Sequence, residues 1–219
     1  MLNKVKYINY TLEEEGMKII CIGRNYAEHA KEMKAAMPTE PVFFMKPDTA
    51  LIKGNEPFYY PDFSKEIHHE VELVIKMSRA GKHIEPEFAH KYYEEIGIGI
   101  DFTARDIQAK CKEKGLPWEK AKSFDGSAPI GNFVNKRTFT DLNNINFLLT
   151  INGKSVQKGN TKDLLFSFDK VISYISKFVT LKTGDLIFTG TPEGVGEVKK
   201  GDVLEAFIEK ESLLKFEIK

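Results

Sequence analysis

Ile67-His68-His69-Glu70-Val71-Glu72-Leu73-Val74-Ile75 decides how this chain is read, because it sets two carboxylates one residue apart inside a run patterned as a buried strand. A strand sends residues i and i+2 to the same face, so Glu70 and Glu72 share one. Their backbone origins then lie roughly 6.5–7 Å apart, where like charges repel and burial makes ionisation costlier. A divalent cation between them relieves both penalties. Two solvated glutamates on the outer face of an edge strand are the alternative this segment leaves open.

Around it, 219 residues with 42% hydrophobic and 11% aromatic content, 16 of them Phe, form a packed globular protein rather than a disordered one. Lys+Arg and Asp+Glu balance at 32 each, so no global field recruits nucleic acid or an anionic membrane. Charge interrupts Met1-Leu2-Asn3-Lys4-Val5-Lys6 too early for a signal peptide, and no apolar run approaches about 18 residues. The expectation is a soluble, cytoplasmic chain. Cys21 and Cys111 read as reduced thiols. With no repeat, linker or composition break, one domain over 17–219 follows a peripheral strand and turn over 1–16.

Met17 to Ile22 reads as a buried strand ended by Gly23, and Asn25 with Glu28 has the capping-box spacing for a helix from Tyr26 to about Lys34. That helix carries His29 and Glu32, neighbours at i and i+3, so the carboxylate can fix the imidazole tautomer. A surface pair and a catalytic dyad both fit. Pro41 to Met45 is a strand closing on Lys46, either a substrate-facing cation or an edge lysine. A helix is expected from Pro86 to Glu95. Ile96-Gly97-Ile98-Gly99-Ile100-Asp101 alternates Ile with Gly, which indicates close packing against the glycine face. Thr103 is placed to cap a helix reaching about Lys114, with Arg105 and Gln108 on one face. Asp101 is then a ligand or a partner of that helix start. Lys122 follows the single tryptophan, Trp118. Asn152-Gly153 marks a hairpin, and 163–178 carries a helical core stripe. Thr189 to Gly196 is glycine-rich without a phosphate-loop pattern; its N–H groups and the Thr191 hydroxyl suit a carboxylate or oxyanion, or the loop is a tight turn. Val203 to Glu209 and Leu213 to Ile218 are the last strands.

In this order and spacing, Gly23-Arg24-Asn25-Tyr26, Lys46-Pro47, His69-Glu70-Val71-Glu72-Leu73, Gly99-Ile100-Asp101-Phe102-Thr103-Ala104-Arg105-Asp106, Lys122-Ser123-Phe124-Asp125, Ile151-Asn152-Gly153 and Gly190-Thr191-Pro192-Glu193-Gly194-Val195-Gly196 resemble the fumarylacetoacetate hydrolase family, in particular single-domain members similar to acylpyruvate hydrolases and oxaloacetate decarboxylases. The resemblance implies an α+β fold, a mixed β-roll with flanking helices, commonly homodimeric. It implies that Glu70, Glu72 and Asp101 bind one Mg2+ or Mn2+, and an all-oxygen set does suit a hard cation. Cys and His show no zinc spacing, and His68 and His69 flank the site. By the same carry-over Lys122 stabilises an enolate, and Arg24, Lys46, Arg105, Gln108 and Thr191 contact the substrate. The expected reaction is C–C hydrolysis of an acylpyruvate through a pyruvate enolate, with His29, oriented by Glu32, activating water. Oxaloacetate decarboxylation or tautomerisation, 2-hydroxyhepta-2,4-diene-1,7-dioate isomerisation, and a catalytically silent metal and dicarboxylate binder stand as alternatives. Met33 to Pro41 is expected to act as a lid.

Overall fold

The computed structural model describes residues 16–33 and 36–219. The strand and turn expected over 1–16 fall, apart from Gly16, outside the described residues, as do Lys34 and Ala35 of the expected lid. The apolar run after Met17 forms β1 (Ile19–Gly23), buried up to its closing glycine. The helix that follows is shorter than expected, α1 (Ala27–Glu32), and Asn25 does not cap it. Instead the Asn25 amide donates to the carbonyls of Phe166 at 3.0 Å and Thr189 at 2.8 Å, and its oxygen accepts from Phe166 N–H at 2.8 Å. A fully buried amide is satisfied better by three long-range backbone partners than by one local cap.

The chain continues through β2 (Val42–Lys46) and β3 (Leu51–Ile52) to the run from Ile67 to Ile75. That run is not one strand. It divides at Glu70 into β4 (Ile67–His69) and β5 (Val71–Met77). The one-turn helix α2 (Pro86–Ala89) replaces the longer one expected to Glu95, because Tyr93 to Glu95 belong to β6 (Tyr93–Ile100), where they pair with Met77 and Lys76. Next come β7 (Thr103–Ala104) and α3 (Arg105–Lys114). Thr103 is a strand residue whose hydroxyl donates to Asp101 O at 3.3 Å, not a cap. Gly115, at φ 62°, closes α3 in the left-handed conformation that glycine supplies at low cost.

The remaining elements are α4 (Glu119–Lys122), β8 (Ala128–Asn135), β9 (Asn146–Ile151), β10 (Lys154–Asn160), α5 (Phe168–Phe178), β11 (Leu186–Phe188), β12 (Gly196–Glu197), β13 (Val203–Ile208) and β14 (Glu211–Glu217). Asn152 and Gly153, at φ 52° and 77°, join β9 to β10 as the hairpin signal requires. The helix expected from Asp163 starts only at Phe168, after the Ser167 hydroxyl caps Lys170 N–H; Leu164 lies in extended chain bridged to Tyr26.

Seven strands form a mixed sheet in the order β2-β1-β11-β5-β6-β8-β3, with β1/β11 and β3/β8 parallel. β10-β9-β13-β14 form an antiparallel sheet that packs on β6 and β8, and β12-β4-β7 a small third one. Strand β5 is buried on both faces: Leu73 and Ile75 join the main core with α5, and Val74 joins a second core with Cys21, Phe133 and Phe188. Close packing at the Ile/Gly run is real. A Cβ on Gly99 would lie 2.7 Å from the Phe188 ring and 2.9 Å from Pro129 O. Among the described residues no helix is long and apolar enough to cross a membrane.

Candidate metal centre

The division at Glu70 builds the site. On one side of it β4 pairs with β7 and β12; on the other β5 pairs with β6 and β11. Glu70 therefore sits where the chain passes from one sheet to another, and its carbonyl accepts Asp101 N–H at 2.8 Å just beyond the end of β6. This brings Glu70, Glu72 and Asp101 together, 5%, 1% and 1% exposed, with ligand oxygens all within 4.8 Å of one another.

Three buried carboxylates need compensation, and the fold supplies cations. Lys122 Nζ, delivered by α4, donates at 2.7 Å to Glu70 Oε2 and at 2.7 Å to Asp101 Oδ2. Arg105 donates to Glu70 Oε1 at 2.6 Å, to Gln108 Oε1 at 2.8 Å and to His68 Nδ1 at 3.4 Å. Burial alone would push the Glu70 carboxyl up, but Lys122, Arg105 and His29 more than reverse it and hold Glu70 well below the usual range. Lys122 responds in kind: burial pulls the ammonium down, and Asp101 and Glu70 raise it above its ordinary value, so it stays protonated. Glu72 lacks such help. Burial first, then Asp101 and Glu70, push it well above the carboxylate range, and the Gly190 N–H at 2.7 Å only partly offsets them.

This imbalance tests whether a divalent ion fits. Asp101 Oδ1 is buried without a hydrogen bond; Lys46 Nζ lies 2.9 Å away, an ion pair off the hydrogen-bond direction. An oxygen with a spare lone pair and a neighbouring glutamate short of a counter-charge are what a cation would complete, and an all-carboxylate set matches Mg2+ or Mn2+. The residues present fit the group.

His29 is 6% exposed, and its Nδ1 lies 3.2 Å from Glu32 Oε2. Glu32 is itself held by Gly194 N–H at 3.1 Å. If Nδ1 carries the proton toward Glu32, Nε2 is left as the basic nitrogen. Two N–H groups of the glycine-rich loop do bind carboxylates, but those of Glu72 and Glu32, the protein's own. Thr191 faces the cleft while its hydroxyl donates to Val71 O at 2.9 Å.

The cleft is lined by Arg24, His29, Glu70, Glu72, Asp101, Arg105, Gln108, Lys122 and Thr191, so it gathers most of the residues singled out from sequence. It encloses only about 40 Å³, against about 550 Å³ for an open groove beside Ile151 and Val156, and chemistry rather than size marks it. Two residues stand apart. Glu32 reaches the site through His29. Lys46 lies beneath it, 3% exposed, donating to Ser127 Oγ at 2.9 Å and to the carbonyls of Ser127 and Lys122, so it braces Asp101 and the end of α4 from within.

Gln157 and Lys112 escaped the sequence reading. Gln157, 1% exposed on β10, accepts from Val71 N–H at 3.0 Å and faces His69 Nδ1 at 2.8 Å, while its amide donates to Thr191 Oγ1 at 2.9 Å and Pro192 O at 3.0 Å. It ties the peptide between Glu70 and Glu72 to the loop that holds both Glu72 and Glu32. No local pattern marks a buried glutamine. Lys112 does carry a signal, helical spacing from Arg105 and Gln108, and it lines the cleft.

A buried carboxylate trio and a protonated lysine share one cleft with His29, a donor set that fits a hard divalent cation. The model of the fumarylacetoacetate (FAA) hydrolase C-terminal family matches residues 18–218. The chain is 43% identical to a mitochondrial oxaloacetate tautomerase, FAHD1, of Bos taurus over 94% of this chain and 93% of that one. It is 44% identical to a mitochondrial oxaloacetate decarboxylase of Dictyostelium discoideum, over 89% and 90%. The structure of fumarylpyruvate hydrolase from Pseudomonas aeruginosa in complex with Mn2+ and pyruvate superposes with a TM-score of 0.87 at 32% identity, covering 100% of this chain and 98% of that one. The chain belongs to the fumarylacetoacetate hydrolase family.

Proposed function

We propose that this protein is a divalent-metal-dependent enzyme that enolises small 2-keto acids, with an oxaloacetate-type dicarboxylate as its substrate and keto–enol tautomerisation as its reaction. The observation that carries the reading is that His29, held from behind by Glu32, lines one cleft with the carboxylate–Lys122 centre. Glu70, Glu72 and Asp101 would hold Mg2+ or Mn2+, which when bound supplies Lewis-acid charge for the oxygens of the keto acid. Lys122 uses two of its three N–H donors on Glu70 and Asp101, which leaves one for the oxygen on which enolate charge develops. Gln108 gives its carbonyl oxygen to Arg105, so its NH2 group is available to the substrate. His29 Nε2 takes the proton from the carbon beside the keto group and passes it to the enolate oxygen, or carries it from the enol oxygen to that carbon in the reverse direction, while Glu32 stabilises the imidazolium. The identity to oxaloacetate-named relatives supports the dicarboxylate.

Acylpyruvate hydrolysis is the second reading, because the same imidazole can take its proton from water and because a fumarylpyruvate hydrolase shares the fold. Oxaloacetate enol–keto interconversion, followed by ultraviolet absorbance with Mg2+ or Mn2+, tests the first; acetylpyruvate and fumarylpyruvate with product identification test the second. In either case His29→Ala should lower kcat by about 10²–10⁴-fold with metal stoichiometry unchanged. Full activity in that variant removes His29 from the mechanism.

A further inference from the structure

The face of α3 that carries Arg105 and Gln108 continues to Lys112, at positions i, i+3 and i+7, and all three line the cleft. At about 1.5 Å of rise per residue, Lys112 lies about 10 Å along the helix from Arg105. Arg105 is bonded to Glu70, so this axis runs from the carboxylate centre outward to the cleft mouth.

Lys112 is exposed by area, yet its ammonium sits 5.6 Å from the Trp118 ring centroid, against another wall of the cleft. It forms no ion pair with a described residue, and neither does Arg24, which lines the same cleft. Burial, with Arg105 and Arg24, pulls the Lys112 pKa below its ordinary value, the signature of a cation among cations. Like charges gathered at a cleft mouth are stabilised by an anion arriving there.

We infer that Lys112 is a specificity-determining residue that reads the far end of the substrate, selecting 2-keto acids with a distal carboxylate over those with a neutral tail. This rests on the keto-acid reading above: the keto-acid head lies at the carboxylate centre, and the tail extends along α3. Lys112 takes no part in the head chemistry, so its removal changes which substrate is preferred and not how the enolate forms.

The test compares Lys112→Met, Lys112→Glu and Lys112→Arg with the wild-type protein. Kinetics use oxaloacetate against acetylpyruvate, whose far end is uncharged. Calorimetry of the Mn2+-loaded protein uses 2-oxoglutarate against oxalate, which presents the head group alone. Lys112→Met should lose about tenfold in kcat/KM on oxaloacetate, carried by KM, and a similar factor in 2-oxoglutarate affinity. Acetylpyruvate turnover and oxalate binding should stay within about twofold, Lys112→Glu should lose more, and Lys112→Arg should retain the preference. Equal losses on both ligands of a pair, or no loss on either, overturn the assignment. Loss of 2-oxoglutarate binding alone, in a protein that turns over no keto acid, supports the Lys112 assignment and refutes the proposed function instead.

Discussion

Replacing Gln157 by Leu keeps the side-chain volume and removes the amide that joins β5 to the glycine-rich loop. Three buried groups then lose a partner: Val71 N–H, the His69 ring N–H and Pro192 O, which the wild-type amide meets at 2.8 to 3.0 Å. Thr191 Oγ1 suffers less, because it keeps its own bond to Val71 O. Each orphaned buried group costs about 1–3 kcal/mol, and partial relaxation places the sum at about 3–5 kcal/mol. In a chain of this size that is a melting temperature lower by about 10 °C. The damage should reach the chemistry, because Val71 lies between Glu70 and Glu72 and the loop beyond Pro192 holds Glu32. Loss of an outer-shell bond of this kind weakens metal binding by about 10–100-fold. Calorimetric melting of the metal-free protein, with Mn2+ titration, measures both. A melting temperature within about 2 °C of wild type together with an unchanged Mn2+ dissociation constant would refute the reasoning.

Lys122→Met should lower kcat by about 10²–10³-fold while the protein still binds one metal ion, measured by turnover and metal analysis. Lys46→Met should destabilise the fold by about 3–5 kcal/mol in denaturant titration, because it strands Asp101 and several carbonyls; an effect confined to KM would instead make Lys46 a substrate contact. In the metal-free protein the Glu72 pKa is raised, so the native state holds a proton that the unfolded chain releases. Glu72 then contributes stability in full below its unfolded value of 4.5, and that stability is lost as pH rises through the raised native value. Metal binding must expel this proton, so affinity should climb about tenfold per pH unit across the same window. Titration calorimetry of wild type and Glu72→Gln checks it, and an identical slope in the variant rules Glu72 out as the source.

Features that rest on neighbouring residues were legible in the sequence. Asn152-Gly153 specifies its hairpin because both positions need positive φ. Gly97 and Gly99 mark a face where aromatic rings press against backbone. His29 and Glu32 meet because helical spacing makes them meet. The helix expected to reach Glu95 failed because β5 offers ladder partners to Tyr93 and Glu95, and β8 a second one to Glu95, an energy no local pattern contains. Asn25 and Thr103 failed as caps for the same kind of reason: their polar atoms have partners elsewhere, in Asn25's case more than a hundred residues away.

By itself, then, the sequence determined the chemistry on offer: hard oxygen ligands spaced for one face of a strand, a histidine oriented by a glutamate, and cations close by. Which of these serve one another was decided by the tertiary structure. The alternation of Glu70 and Glu72 suggested a single continuous strand, whereas the chain changes sheets at Glu70, and that change lets Asp101 complete the trio. The sequence by itself favours an edge lysine at Lys46 over a substrate-facing cation, and folding places it instead beneath Asp101. Gln157, 86 residues from Val71, became the brace of the site only when β10 came to lie beside it. The physical reason is common to all three: a charge or amide inside the protein takes the state its neighbours satisfy, and those neighbours are set by strand crossovers rather than by adjacency in the chain.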